Sequence, residues 1–337
     1  MTGSNGAASS RDQILEAVRS EERFLLTTHE NPDGDAIGSL VGMHLLLRAL
    51  GKDSVMFLSA DELPLPYEYR SIGLDGLVTT VPADLAERTI VFLDCGNIDR
   101  SPAEAIKRPG ARILNLDHHH DNTRFGTINL VVPEASCTAE VVWDLVRALE
   151  VAPSVEMAEA LYVGLVTDTG KFMYENTGPC AHLMAAALID AGIDVHAIYR
   201  RLYEGVPQAK LDLLARGLDN LERHEGGVLT VTHLSRRDYA DTGAEEAYSE
   251  GVVDHLRALE GTAVAGLVRD LLADDKVGRR KVSLRATDDR VDVSAIARAQ
   301  GGGGHRRAAG FSTEMEWQEL VDFLRRAVAD ALAPVHG

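Results

Sequence analysis

The sequence predicts a two-domain α/β protein, with a parallel sheet in its N-terminal part and a smaller α/β domain after it. Three observations predict this. Short apolar runs at 24–28, 54–58, 89–93 and 112–116 alternate with longer helical segments, the pattern of a parallel sheet covered on both faces. The stretch 179–223 reads as almost all helix, and the texture changes beyond it. The length of 337 residues corresponds to roughly two domains at about 150 residues each.

The elements follow in order. Phe24-Leu25-Leu26-Thr27-Thr28 is β-prone, and an amphipathic helix over 36–50 follows it, closed by Gly51. The runs 54–58, 89–93 (TIVFL) and 112–116 (RILNL) read as further strands. Helices at 136–150 and 154–167 are parted by Pro153, which a helix interior rejects. After the helical stretch come a strand at 227–234, a helix at 250–259 and strands at 262–272 and 280–286. A short helix at 294–299 and a long one at 315–332 complete the chain. Residues 1–12 read as a disordered tail, 13–190 as the first domain, 191–215 as a helical linker and 216–337 as the second domain.

Composition limits the function. Acidic residues outnumber basic ones by 52 to 34, a formal net charge of −18. Gripping a long polyanion requires many Lys and Arg, so this balance argues against a nucleic-acid coat protein but not against a small nucleotide held by local cations. With 45% apolar and 26% charged residues, the chain can bury cores, unlike a disordered or collagen-like protein. No apolar run approaches the roughly 18 residues that span a membrane. The segment 1–11, rich in Gly, Ser, Asn and Ala, does not read as a signal peptide. Cys95, Cys137 and Cys180 lie far apart with no C-x-x-C, which argues against a disulfide framework and suits a reducing cytoplasm.

Chemistry concentrates after the apolar segments, where ligands bind in open α/β sheets. Thr28-His29-Glu30-Asn31-Pro32-Asp33-Gly34-Asp35 follows the first strand. Its Asp33 and Asp35 suit either a turn and helix cap or a set of metal ligands with His29. Asp94 closes the run 89–93, and Asp117-His118-His119-His120 follows the run 112–116. Thr167-Asp168-Thr169-Gly170 follows the apolar stretch 161–166. If the fold gathers these segments, Asp33, Asp35, Asp94 and Asp168 share one place with at least two histidines. Four ionised carboxylates there need cations, and two divalent ions balance them. Carboxylate and imidazole ligands without thiolate suit Mn²⁺, with Mg²⁺, Co²⁺, Fe²⁺ and Zn²⁺ as alternatives. A pair of such ions suits hydrolytic attack on phosphorus. A second stretch, Gly301-Gly302-Gly303-Gly304-His305-Arg306-Arg307-Ala308-Ala309-Gly310, sets open backbone beside local positive charge. That combination suits recognition of a phosphate or nucleobase.

The order HENPDGDA, Asp94, DHHH and TDTG resembles the DHH phosphoesterase family, whose triplet is matched here by Asp117-His118-His119. The stretch from Gly301 to Gly310 resembles the glycine motif of the DHHA1 substrate-binding domain found in part of that family. The resemblance covers nearly the whole chain. It implies an N-terminal parallel-sheet DHH domain plus a smaller C-terminal α/β DHHA1 domain, with a cleft between them. It implies one metal held by His29, Asp33 and Asp94 and another by Asp35, Asp94, His118 and Asp168, with Asp94 bridging. His119 would then act near the scissile phosphate as general acid or charge stabiliser, and Asp117 would orient a neighbouring histidine. His120 is left without a role. Arg285, Gly302, Gly303, Gly304, His305 and Arg306 would contact the substrate.

Within the family, type II pyrophosphatases carry a different second domain, RecJ-type exonucleases are larger, and membrane-bound cyclic-dinucleotide phosphodiesterases add spanning segments. The compact NrnA-type branch fits best. It implies a cytoplasmic, Mn²⁺-dependent homodimer that trims very short RNA to mononucleotides. It also implies removal of the 3′-phosphate of adenosine 3′,5′-bisphosphate, with linear or cyclic di-adenylate as an alternative substrate. Neither long duplexes nor membranes are implied partners.

Overall fold

The computed structural model describes residues 9–333 apart from 71, 102 and 109. Contacts divide the chain into two compact units, Met1–Glu204 and Gly205–Gly337.

Among the described residues, the first unit holds a six-stranded sheet and six α-helices. The strands are β1 (Arg23–Thr27), β2 (Asp53–Phe57), β3 (Leu77–Val78), β4 (Thr89–Leu93), β5 (Ile113–Asp117) and β6 (Ile128–Val131). They lie in the order β3-β2-β1-β4-β5-β6, and every pair is parallel. The helices are α1 (Ser10–Ser20), α2 (Gly34–Ala49), α3 (Thr138–Ala148), α4 (Val155–Asp168), α5 (Pro179–Asp190) and α6 (Val195–Tyr203). The central strands are apolar at successive residues because both faces are covered. Leu26, Val91, Leu93, Leu114 and Leu116 join the helices in the larger core. Leu25, Ile90, Phe92 and Ile113 point the other way, into a smaller core under the connecting loops. From β1 the chain builds β2 and β3 on one side, then crosses to build β4, β5 and β6 on the other. The carboxyl ends of β1 and β4 are therefore a topological switch point, where such sheets bind ligands.

Helices α2 and α4 run antiparallel along a seam of small residues. A Cβ on Gly38 would lie 2.4 Å from the carbonyl oxygen of Ala160 and 2.8 Å from the nitrogen of Gly164. A Cβ on Gly34 would lie 2.3 Å from Thr167 Oγ1. Only glycine allows this approach, and it brings the start of α2 to the end of α4.

Two expected boundaries differ. The part of the 1–12 tail before residue 9 lies outside the described residues, but α1 already begins at Ser10, capped by the Ser9 hydroxyl in a capping box with Asp12. Arg11 then bonds Asp144. The 191–215 linker is divided between the units: Ile198 and Leu202 of α6 are buried in the first core, whereas α7 (Gln208–Asp219) belongs to the second unit. An amphipathic helix finds a core to cover, so a helical connection does not stay a separate element.

The second unit holds β7 (Glu222–His224), β8 (Leu229–Leu234), β9 (Val264–Asp270), β10 (Arg280–Ala286), β11 (Gly303–His305) and β12 (Ala308–Thr313). Their order is β11-β12-β10-β9-β8-β7, antiparallel except for β8 with β9. Its helices after α7 are α8 (Arg236–Thr242), α9 (Val252–Arg257), α10 (Val293–Arg298) and α11 (Trp317–Leu332). Val282, Leu284 and Ala286 alternate along β10 into a core closed by Leu320, Val321 and Leu324 of α11.

Gly38→Val is expected to destabilise the protein by about 1–3 kcal/mol or more, the usual cost of overpacking. Denaturant unfolding measures this. A variant as stable as the parent would show that the seam is not close-packed.

Candidate active site

The ends of the central strands carry the polar residues of the first unit. His29 stands two residues beyond β1, Asp94 directly follows β4, and Asp117 ends β5 with His118 and His119 behind it. Asp33 caps α2, its Oδ1 accepting the N–H groups of Asp35 and Ala36 at 3.1 Å each. Asp35 lies in the first turn of α2. Asp168 is the last residue of α4, the helix expected over 154–167. Cap and ligand are not exclusive roles for Asp33, because the cap engages only Oδ1.

These residues converge. Ligand-type atoms of His29, Asp33 and Asp94 lie within 4.8 Å of one another, as do those of Asp35, His118 and Asp168. Asp94 stands between the groups, its Oδ2 3.6 Å from His29 Nε2 and its Oδ1 3.7 Å from His118 Nε2. His118 Nε2 is also 3.7 Å from Asp168 Oδ2. His119 Nδ1 meets Asp117 Oδ1 at 2.8 Å and lies 3.6 Å from Asp94 Oδ1. Asp117 is held in turn by Asn122 Nδ2 at 2.5 Å. His120 is exposed.

The charges respond to one another. Burial raises the Asp35 carboxyl well above the usual range, and the charges of Asp94 and Asp168 push it further. Asp168 is raised well by burial first, then by Asp94 and Asp33. Asp94 is equally buried, but the imidazoles of His29, His119 and His118 outweigh burial and hold it far below the usual range. Burial lowers His119, yet Asp117 and Asp94 together lift it to about 10.

Several partners carry no sequence motif. Thr138 donates its N–H to Asp35 Oδ2 at 2.6 Å and its hydroxyl to Asp94 Oδ1 at 2.9 Å. Asn176 Nδ2 donates to Asp168 Oδ2 at 3.2 Å and to the Ser136 carbonyl at 2.8 Å. Arg100 brings its Nη2 within 3.0 Å of His29 Nδ1. Such residues are single, common types on connecting segments, and only the fold gives them neighbours.

In the second unit, Arg285 on β10 pairs with Ala308 on β12, which pairs with His305 on β11. Directly opposed residues share a face, so Arg285 and His305 stand on one side of the sheet. Arg285 Nε is 4.0 Å from Asp254 Oδ1. Arg306 lies in the turn between β11 and β12 and donates to the Asp289 carbonyl at 2.6 Å. The glycine stretch was expected as a loop of open backbone, but Gly303 and Gly304 are strand residues paired to β12. A Cβ on Gly302 would lie 2.2 Å from the Gly310 carbonyl oxygen. One on Gly304, whose φ is +130°, would lie 2.6 Å from that of Ala308. Close hairpin packing therefore requires these two glycines, whatever else they touch.

Two family models match this chain: the DHH family, N-terminal domain, over residues 23–165, and the DHHA1 domain over residues 228–333. The chain belongs to the DHH family of phosphoesterases, in the form that carries a DHHA1 domain. Within that family it is similar to the bifunctional oligoribonuclease and PAP phosphatase NrnA of Thermus thermophilus, 34% identical over 325 residues, 95% of this chain and 93% of that protein. The protein of the same description from Bacillus subtilis is 24% identical, across 92% of this chain and 95% of its own. An exopolyphosphatase-related protein from Bacteroides fragilis superposes with a TM-score of 0.84 at 23% identity, covering 98% of each chain, and shares the fold. No single helix among the described residues is long and apolar enough to cross a membrane.

The raised groups give a pH dependence to the metal-free protein. Asp35, Asp168 and His119 hold protons in the folded state that the unfolded chain has already released. Their contribution is complete below the ordinary side-chain values and is lost as pH rises through the raised ones. Asp94 and Asp117, both depressed, act in the opposite sense, below the ordinary carboxylate range. The melting temperature of chelator-treated protein is expected to fall as pH rises from about 6.5 to about 10, the interval over which His119 gives up the proton that the fold holds. A divalent ion at about 100 times its dissociation constant restores about 2.7 kcal/mol. A melting temperature that stays level with pH and ignores added metal would contradict this account of the cluster.

Proposed function

We propose that this chain is a metal-dependent hydrolase that degrades RNA of a few nucleotides to mononucleotides and also dephosphorylates adenosine 3′,5′-bisphosphate. The observation that carries this reading is the pair of three-residue groups of ligand-type side chains that meet beside Asp94, in a chain similar along 95% of its length to an oligoribonuclease and PAP phosphatase.

The donor set fits two divalent cations. It is all carboxylate and imidazole, and it crowds four acidic side chains, two of which burial and their acidic neighbours already force upward in pKa. We assign His29, Asp33 and Asp94 to one ion and Asp35, Asp94, His118 and Asp168 to the other, with Mn²⁺ as the first choice and Mg²⁺ or Co²⁺ as substitutes. Such ions acidify water and neutralise charge growing on phosphoryl oxygens.

The chain's own residues do the rest. Asp94 stays ionised and so remains a ligand at any working pH. Asp117 fixes the ring of His119 through Nδ1, so the proton that His119 delivers to the leaving oxygen is the one on Nε2. Arg285, Gly302, Gly303, Gly304, His305 and Arg306 are proposed to hold the nucleotide. The net charge of −18 supports a short substrate, because local cations recognise one or two phosphates while a long strand is repelled elsewhere. Location in the cytoplasm and assembly as a homodimer complete the proposal.

The deciding assay supplies purified protein and Mn²⁺ with an RNA dinucleotide, a long single strand, adenosine 3′,5′-bisphosphate, cyclic di-AMP and pyrophosphate. Fast turnover of the dinucleotide and of the bisphosphate, with slow turnover of the long strand, is expected. Equal rates on long and short RNA, or activity on pyrophosphate alone, would refute the substrate assignment. Asp94→Ala is expected to lower kcat by about 10³-fold or more. Arg285→Ala should instead raise KM about tenfold, the scale of one charged hydrogen bond. The reverse ranking would mean that the chemistry is placed in the wrong unit.

A further inference from the structure

The N-terminus of α3 meets the acidic cluster through Thr138 and Ala139. Thr138 is fully buried. Its backbone N–H and that of Ala139 grip the two oxygens of Asp35 at 2.6 and 2.9 Å. Its hydroxyl reaches the other way, to Asp94 Oδ1 at 2.9 Å. The imidazole nitrogens around Asp94 stand farther off, at 3.6 and 3.7 Å. Asp94 itself has a φ of +57°, a left-handed conformation that a non-glycine residue keeps only when its surroundings hold it there. One residue thus ties together a carboxylate from each of the two donor groups.

We infer that Thr138 is a positioning residue for the metal pair, its hydroxyl fixing the Asp94 carboxylate in the orientation that serves both ions. This rests on the metal assignment proposed above. A hydroxyl donating to Oδ1 occupies one lone pair of that oxygen and leaves the remaining carboxylate lone pairs for cations. It also sets the rotation of the carboxylate, which decides whether one Asp spans two ions or serves one. Groups that orient metal ligands in this way typically change metal affinity by about 10–100-fold when removed. The backbone grip on Asp35 survives any substitution at position 138 that keeps the helix, so the side chain can be tested alone.

The test is a calorimetric titration of metal-stripped full-length protein with Mn²⁺, together with its electron paramagnetic resonance spectrum. The parent is expected to bind two ions and to give a spin-coupled spectrum. Thr138→Val keeps the shape and loses the hydroxyl; it should bind the pair about 10–100-fold more weakly and give uncoupled Mn²⁺. Thr138→Ser restores the hydroxyl and should return both readouts to within a few-fold of the parent. A parent that binds no Mn²⁺ would remove the metal assignment itself. A parent that binds two ions, with a folded Thr138→Val that binds them as tightly, overturns the role of Thr138 alone. If Thr138→Val does not fold, Thr138→Ala takes its place, and equal affinity of the Ala and Ser variants overturns the proposal.

Discussion

Asp33, Asp35, Asp94 and Asp168 meet at one place in the first unit, and the local structure around them answers their repulsion. Two like charges 4 Å apart cost about 4 kcal/mol at an effective dielectric of about 20. The protein meets that cost differently at each residue. Asp94 is ringed by imidazoles and stays ionised. Asp35 takes two backbone N–H groups from the start of α3, the positive end of a helix. Asp33 spends one oxygen on its own helix cap, and Asp168 is steadied by Asn176. Burial, together with the repulsion these local arrangements leave uncompensated, raises the carboxyls of Asp35 and Asp168, and cations are the chemistry that would offset it.

The fold makes this concentration possible through two constraints. Reversal of the strand order between β1 and β4 places the loops bearing His29 and Asp94 side by side. The glycine seam between α2 and α4 lets Asp35 approach Asp168 at a distance that larger residues would prevent. Neither constraint involves a charged residue. The site therefore depends on packing well outside it, in the way that rigid elements usually position reactive groups.

The second unit works by other means. Its sheet is largely antiparallel; β8 and β9 are buried along most of their length, whereas β10 alternates, turning Val282, Leu284 and Ala286 to the α11 core and leaving Arg285 partly exposed on the other side. The glycine stretch closes a tight hairpin, which accounts for Gly302 and Gly304 before any ligand is considered. A run of glycines reads in sequence as freedom; in the structure two of them are obligations of contact.

Residue order alone was enough for the family, for the central strands and for the polar segments behind them. Apolar runs of five or six residues followed by Asp or His are local facts, set by which side chains avoid water and which bind cations. The end of the 1–12 tail and the 191–215 linker read differently, because a capping box with an ion pair to Asp144 and the burial of Ile198 are decided by partners distant in the chain. Thr138, Asn176 and Arg100 were invisible for the same reason: nothing marks a lone Thr, Asn or Arg until the fold sets a carboxylate or imidazole beside it. The sequence by itself determined which residues can carry the chemistry, since that depends on side-chain type and local pattern. Tertiary structure alone decided which of them meet, how far apart, and with which carboxylate held ionised, since burial and Coulomb energy depend on distance through space and not along the chain.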